Sequence, residues 1–184
     1  VLYRLARGRS GDPPARLTQE QRKFLRRAYG SVPDHKANDG IVPTLSQADL
    51  WTPLPGGGAP AGFHVKHAVG SLERLMTYAR GESLNREQFE RLAAEKEVGD
   101  TAEALLAYAA AVIDTALAQL RSISSDRLLE PREIGRAKLP STVLGILVHA
   151  GEHTARHVGQ LVTSATVSRS RIQDTLTAPP RWPP

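Results

Sequence analysis

Glu152-His153-Thr154-Ala155-Arg156-His157-Val158-Gly159-Gln160-Leu161 is the stretch whose reading decides the fold. On a helix, two histidines four residues apart sit about 40° apart around the axis and about 6 Å apart along it. Both imidazoles can then converge on one small object, and a divalent cation with metal–nitrogen bonds near roughly 2.1 Å is the usual one. Two ligands make a weak site, so a third has to come from another segment. The spacing around the pair predicts one long helix. Ser141 caps it, Leu144, Leu147, Val158, Val162 and Ala165 line its apolar side, and it runs to about Val167.

His149 extends the same spacing, but His149 and His157 lie about 12 Å apart along such a helix and cannot share one ion. One adjacent pair has to be chosen. The competing reading is a row of histidines at the edge of the core that binds nothing. The residue after His153 is Thr154 and not Glu, so the His-Glu-x-x-His signature of zinc proteases is missing. Three further histidines could supply the third ligand: His35 in a loop-like stretch, and His64 and His67 at the start of an earlier helical pattern. His64 shares its phase with Ala68, Leu72 and Leu75, and His67 with Phe63, Ser71 and Tyr78, so periodicity leaves the two equal.

Working outward, the pattern predicts a turn of helix over Ser46 to Trp51 and a helix from Phe63 to about Arg80 that stops at Gly81. A short connecting helix follows within 85–97. The next helix is capped by Asp100 or Thr101 and runs to about Ser122 on Leu106, Ile113, Leu117 and Leu120. Upstream, Thr18 to Ala28 reads as a short, strongly basic helix. Pro33, Pro43, Pro53, Pro55 and Gly56-Gly57-Gly58 mark a loop on which Asp49-Leu50-Trp51 is the expected anchor. The glycine run has no following Gly-Lys-Ser/Thr and is read as a turn, not a phosphate loop. Residues 124–140, with Pro131 and Gly135, read as a connection. No alternation of period two stands out, so the expected fold is all-α, an antiparallel four-helix bundle without a sheet. Its domain spans residues 18–167, between a flexible basic arm (1–17) and an extended Pro-rich tail (168–184).

Composition bounds the function. The 184 residues suffice for one domain with a core, and no continuous apolar run reaches the roughly 18 residues that span a bilayer. Arg4, Arg7 and Arg9 interrupt any apolar leader, so a cytoplasmic protein is expected. The net charge is +5, but residues 1–30 hold eight basic and two acidic side chains, which leaves the remainder close to neutral. Nucleic acid is therefore not an expected partner, since recognition wants its cations on a structured face. The chain has no cysteine, which excludes disulfides, thiolate metal sites and a Cys nucleophile; thiol chemistry would need an external thiol.

Three stretches together resemble the DinB-like superfamily, the DinB/YfiT-type metal-binding bundles. They are Leu50-Trp51-Thr52-Pro53 leading into Gly62-Phe63-His64-Val65-Lys66-His67-Ala68-Val69-Gly70-Ser71, then Arg74 to Leu84, then Val148 to Leu161. With the helical segment between them they cover roughly residues 45–167. The resemblance implies a divalent metal held by one histidine of the second helix and the His-x3-His of the last, here His67, His153 and His157, with His149 a neighbour. Zinc or nickel suits imidazole, with manganese and iron as further candidates. It also implies a metal-dependent hydrolase or thiol-dependent S-transferase acting on a small molecule, the thiol being of low molecular weight, and a homodimer. The other functional class compatible with the residues is a non-catalytic bundle acting through dimerisation. The first helix departs from the family pattern and is expected to be irregular. Glu152 and Glu73 both lie off the histidine side of their helices, so no nearby carboxylate is an evident base.

Overall fold

Helix after helix begins where a side chain can take a backbone N–H that the first turn leaves unsatisfied. In this computed structural model, described over residues 45–177 with side chains over 45–170, Ser46 accepts from the Asp49 N–H at the start of α1 (Gln47–Trp51). The second helix, α2 (Ala61–Ala79), follows a one-turn 3-10 segment at Pro55–Gly57. It ends in paired bonds from the Glu82 N–H to the Thr77 carbonyl and from the Gly81 N–H to the Tyr78 carbonyl. This closure puts Gly81 at φ +81°, a left-handed conformation that glycine adopts without a Cβ penalty. Asn85 and Gln88 cap α3 (Arg86–Ala93) reciprocally, and Thr101 caps α4 (Ala102–Ser122).

The expectation of no sheet is corrected. Residues 131–142 form an antiparallel hairpin of β1 (Pro131–Ile134) and β2 (Leu139–Thr142), with Ile134 opposite Leu139 and Pro131 opposite Thr142. Four residues per strand are too few for an alternation to show, and a two-stranded ribbon has only edges, where proline is tolerated. The loop is closed by a bond from the Lys138 N–H to the Gly135 carbonyl, and both residues have positive φ. Because Ser141 lies in β2, the cap of the last helix falls one residue later: the Thr142 hydroxyl accepts from the Gly145 N–H, and α5 spans Val143–Thr177. The helix continues ten residues past the expected end. Nothing between 168 and 177 is Pro or Gly, and the first proline after it is Pro179.

Packing centres on α2. Leu75 and Ala79 near its end meet Ile146 and Ala150 near the start of α5, while His64 near its start meets His157 further along, so the two helices run antiparallel. The relation to α4 departs from an alternating up-and-down bundle. Lys66 in the first turns of α2 pairs with Asp100, just ahead of α4, and Arg80 at the end of α2 hydrogen-bonds Gln119 near the end of α4. These two helices are therefore parallel. The intervening chain, α3 and the 3-10 turn Ala94–Lys96, returns along the bundle to make this possible. The main core joins Leu50, Val65, Val69, Leu105, Ile113 and Leu161. Leu50 and Leu161 are essentially inaccessible, and full burial of a leucine stabilises by about 1.5–3 kcal/mol.

The fold is mostly helical. The basic arm, the Thr18–Ala28 helix, His35 and residues 178–184 lie outside the described residues. Among the described helices, α4 is long and apolar enough to cross a membrane by length and composition. Alanine supplies much of that apolarity, and Leu105, Ala109, Val112, Ile113 and Ala116 pack into the core.

The expected anchor is present. Trp51 donates its indole N–H to the Asp100 carbonyl at 2.9 Å and covers Gly62, where a Cβ would come within 2.8 Å of the ring. A larger residue at Gly62 has to displace the indole from a packed interface. Gly62→Val is expected to lower stability by about 1–3 kcal/mol in urea denaturation, with a red shift of tryptophan emission in the folded protein.

Candidate metal centre

The antiparallel contact of α2 and α5 carries the first two turns of α2 past the middle of α5. His67 then faces both members of the His153/His157 pair. Ring centroids are 5.1 Å apart for His67 and His153, 4.5 Å for His67 and His157, and 4.6 Å for His153 and His157. One nitrogen from each of the three rings lies within 4.8 Å of the other two. A tetrahedral ion with bonds near 2.1 Å wants its donors roughly 3.4 Å apart, so the triangle has to contract by about an ångström or less of ring movement per side chain.

The other histidines are placed differently. His64 is buried and sits behind the triangle, its Nδ1 3.3 Å from the Nδ1 of His157. His149 is exposed, one turn from His153, with ring centroids 5.6 Å apart. The periodicity tie between His64 and His67 is thus a tie between two sides of one ring: His67 meets both partners of the pair, and His64 backs onto His157. Phe63 stacks on the outer face of His67 at 5.4 Å with planes 9° apart, which limits the ring's freedom to turn.

A carboxylate to which the sequence pattern did not point stands at the site. Glu95, in the 3-10 turn after α3, places Oε2 2.6 Å from the Nδ1 of His67 and accepts at Oε1 from Arg74 at 2.6 Å. Arg74 also donates to Ser71. Glu95 is only 7% exposed. Within Glu95-Lys96-Glu97 it reads as one more solvated charge, and no residue spacing ties it to His67, 28 positions earlier. Only the return of α3 along α2 brings it there. Glu152 is exposed, and Glu73 is taken up by Arg91 and Tyr108 across the interface with α3 and α4. A separate groove of about 520 Å³, lined among others by Glu73, Thr77, Gln88, Arg91 and Tyr108, holds none of these histidines.

The electrostatics favour the neutral form of His64, His153 and His157. Burial lowers His153 and His157, and the neighbouring charges of His67 push the same way; His157 is brought down to about 4. Burial lowers His64 as well, with the charge of His67, against a hydrogen bond that the ring donates to the Ala59 carbonyl. Burial alone would raise Glu95, but the hydrogen bond from His67 and the charge of Arg74 outweigh it and hold the carboxyl below its ordinary range. One buried atom stands out: the Nδ1 of His153 has no hydrogen-bond partner. A buried nitrogen without a partner is costly unless something electrophilic meets it. A divalent cation among neutral imidazoles satisfies that requirement, so the residues fit such an ion.

The model of the DinB superfamily matches residues 35–161, and the chain belongs to that superfamily. A search of curated proteins returned no match, and neither did a search of solved structures.

The depressed histidines have a consequence for the metal-free protein. Its folded form refuses protons that the unfolded chain accepts near pH 6.5. Stability is fully present above that value and is lost as pH falls toward about 4. Thermal melts of the chelator-treated protein are expected to drop between pH 7 and 5, and less steeply in His157→Gln.

Proposed function

We propose that this chain is a divalent-metal protein whose ion is held by His67, His153 and His157, and that the ion serves a reaction on a small molecule. The observation that carries the reading is the convergence of these three imidazoles, one of which, His153, has a buried and unpartnered Nδ1. Zinc or nickel is the favoured metal, because both accept imidazole donors. Three protein ligands leave coordination positions for water or substrate, as catalytic sites do and closed structural sites do not. When bound, such an ion supplies Lewis acidity toward a water, a carbonyl or a thiol.

The chain's own residues do the rest. Phe63 and Glu95 hold the His67 ring from its face and from its Nδ1 edge. His64 occupies the Nδ1 side of His157. The carboxylate of Glu95 is engaged by both His67 and Arg74, so it orients a ligand and is not free to take a proton from substrate. A nucleophile that needs no carboxylate base, such as a thiol ionised by the metal, fits this better than a hydrolysis that depends on one. The chain has no cysteine, so that thiol has to arrive from outside. S-transfer with a low-molecular-weight thiol is therefore the preferred reaction class, ahead of hydrolysis.

Elemental analysis of the purified protein is expected to give about one zinc or nickel per chain, and His153→Ala and His157→Ala are each expected to abolish stoichiometric binding. His67→Ala should do the same, whereas His149→Ala should keep the ion. In the cobalt-substituted protein, a small thiol should change the visible spectrum by entering an open position. A spectrum indifferent to thiols, azide and water exchange would favour the non-catalytic alternative.

A further inference from the structure

We infer that Glu95 is the positioning residue of the three-histidine site: it accepts a hydrogen bond from the Nδ1–H of His67, fixes that imidazole as the tautomer with a free Nε2, and so presets one ligand for a divalent ion. The inference rests on the metal reading above and adds a residue from outside the histidine motif.

Three observations support it. The contact is short, 2.6 Å from the carboxylate to Nδ1, and lies on the ring edge away from Nε2. A ligating imidazole needs its second nitrogen occupied in this way, because the hydrogen bond decides which nitrogen keeps the lone pair. The carboxylate is also divided, with one oxygen for His67 and the other for Arg74, whose guanidinium is tied in turn to Ser71. Arg74 balances the buried negative charge, so Glu95 can serve as a hydrogen-bond acceptor without requiring a cation at His67.

The third observation is Gly70, in the middle of α2. Glycine is the poorest helix former after proline, and nothing in the backbone requires it here. A Cβ at this position would come within 2.9 Å of the Arg74 Nη1 and 3.0 Å of the Glu95 Oε1. The missing side chain is the clearance through which the Arg74–Glu95 pair reaches His67. The three positions, 70, 74 and 95, thus form one device, with the glycine making room, the arginine balancing charge and the glutamate setting the tautomer.

The test measures zinc affinity by chelator competition, together with the His67 tautomer in the metal-free protein from long-range ¹⁵N–¹H spectra, assigned with His67→Gln. Glu95→Gln is expected to weaken zinc binding about 10–100-fold and to lose the single Nδ1–H signature, with unchanged circular dichroism. Wild-type affinity and an unchanged tautomer in Glu95→Gln would overturn the inference. Gly70→Ala keeps the test open if Glu95→Gln does not fold. Alanine favours the helix, so its melting temperature should hold or rise while zinc affinity falls; unchanged affinity there also counts against the inference. Failure of the underlying metal reading looks different: the wild type would then bind zinc no better than His153→Ala.

Discussion

The contact on which the rest of this structure depends is the antiparallel packing of α2 against α5. It is an apolar interface for most of its length, with Leu75, Ala79, Ile146 and Ala150 at one end and Val65, Val69, Leu161 and Ala165 further along. Between these two patches the interface turns polar, and four imidazoles share the space. Such a substitution of polar rings for aliphatic side chains costs stability unless the nitrogens find partners. Two of the three converging rings have a partner on Nδ1, Glu95 for His67 and His64 for His157, and the third, His153, has none. The interface is thus incomplete as a protein core at the place where the three imidazoles converge.

The parallel arrangement of α2 and α4 follows from the length of chain between them. A tight turn would have sent α4 back antiparallel to α2, with its polar cap far from the histidines. The connection through α3 instead travels the length of α2 and sets the 3-10 turn of Ala94–Lys96 against its first half. Capping at Asn85 and Gln88 fixes where α3 starts, and Gln88 bonds the Thr77 hydroxyl inside the interface. Glu95 is delivered to His67 at the end of that path. The same return path places Arg91 against Glu73 and Tyr108, so that the half-buried carboxylate of α2 is neutralised within the scaffold and kept away from the site.

Burial first, and neighbouring charge after it, holds His64, His153 and His157 below the ordinary imidazole range. Arg156 on α5 and Arg74 on α2 both disfavour a protonated His153, and the histidines disfavour protons on one another. At neutral pH His153 and His157 then present lone pairs and not charges, which is the state that binds a cation. The small helix-forming residues of α4 and the short hairpin of residues 131–142 take no part in this chemistry. Residues of α4 pack into the main core, and the hairpin packs at the end of α2, where Arg132 donates to the Ala79 carbonyl.

Several features are fixed by local sequence and could be read without a structure. The helices begin at Ser46, Asn85 and Thr101 because their side chains reach only their own first turn. The His153/His157 pair is local for the same reason, since four residues of helix set its geometry whatever surrounds it. The family resemblance rests on residues of this kind. What spacing could not decide was which side of α2 faces the pair, because His64 and His67 differ by less than one turn and both lie at the core edge. Nor could it find the hairpin, whose strands are shorter than any readable period, or the parallel course of α4. Glu95 was the least legible of all. Its role depends on a contact across 28 residues and on a gap above Gly70, and neither distance is written in a one-dimensional pattern. The tertiary structure decided these because they depend on which surfaces meet, and that is set by the burial of distant apolar faces against one another.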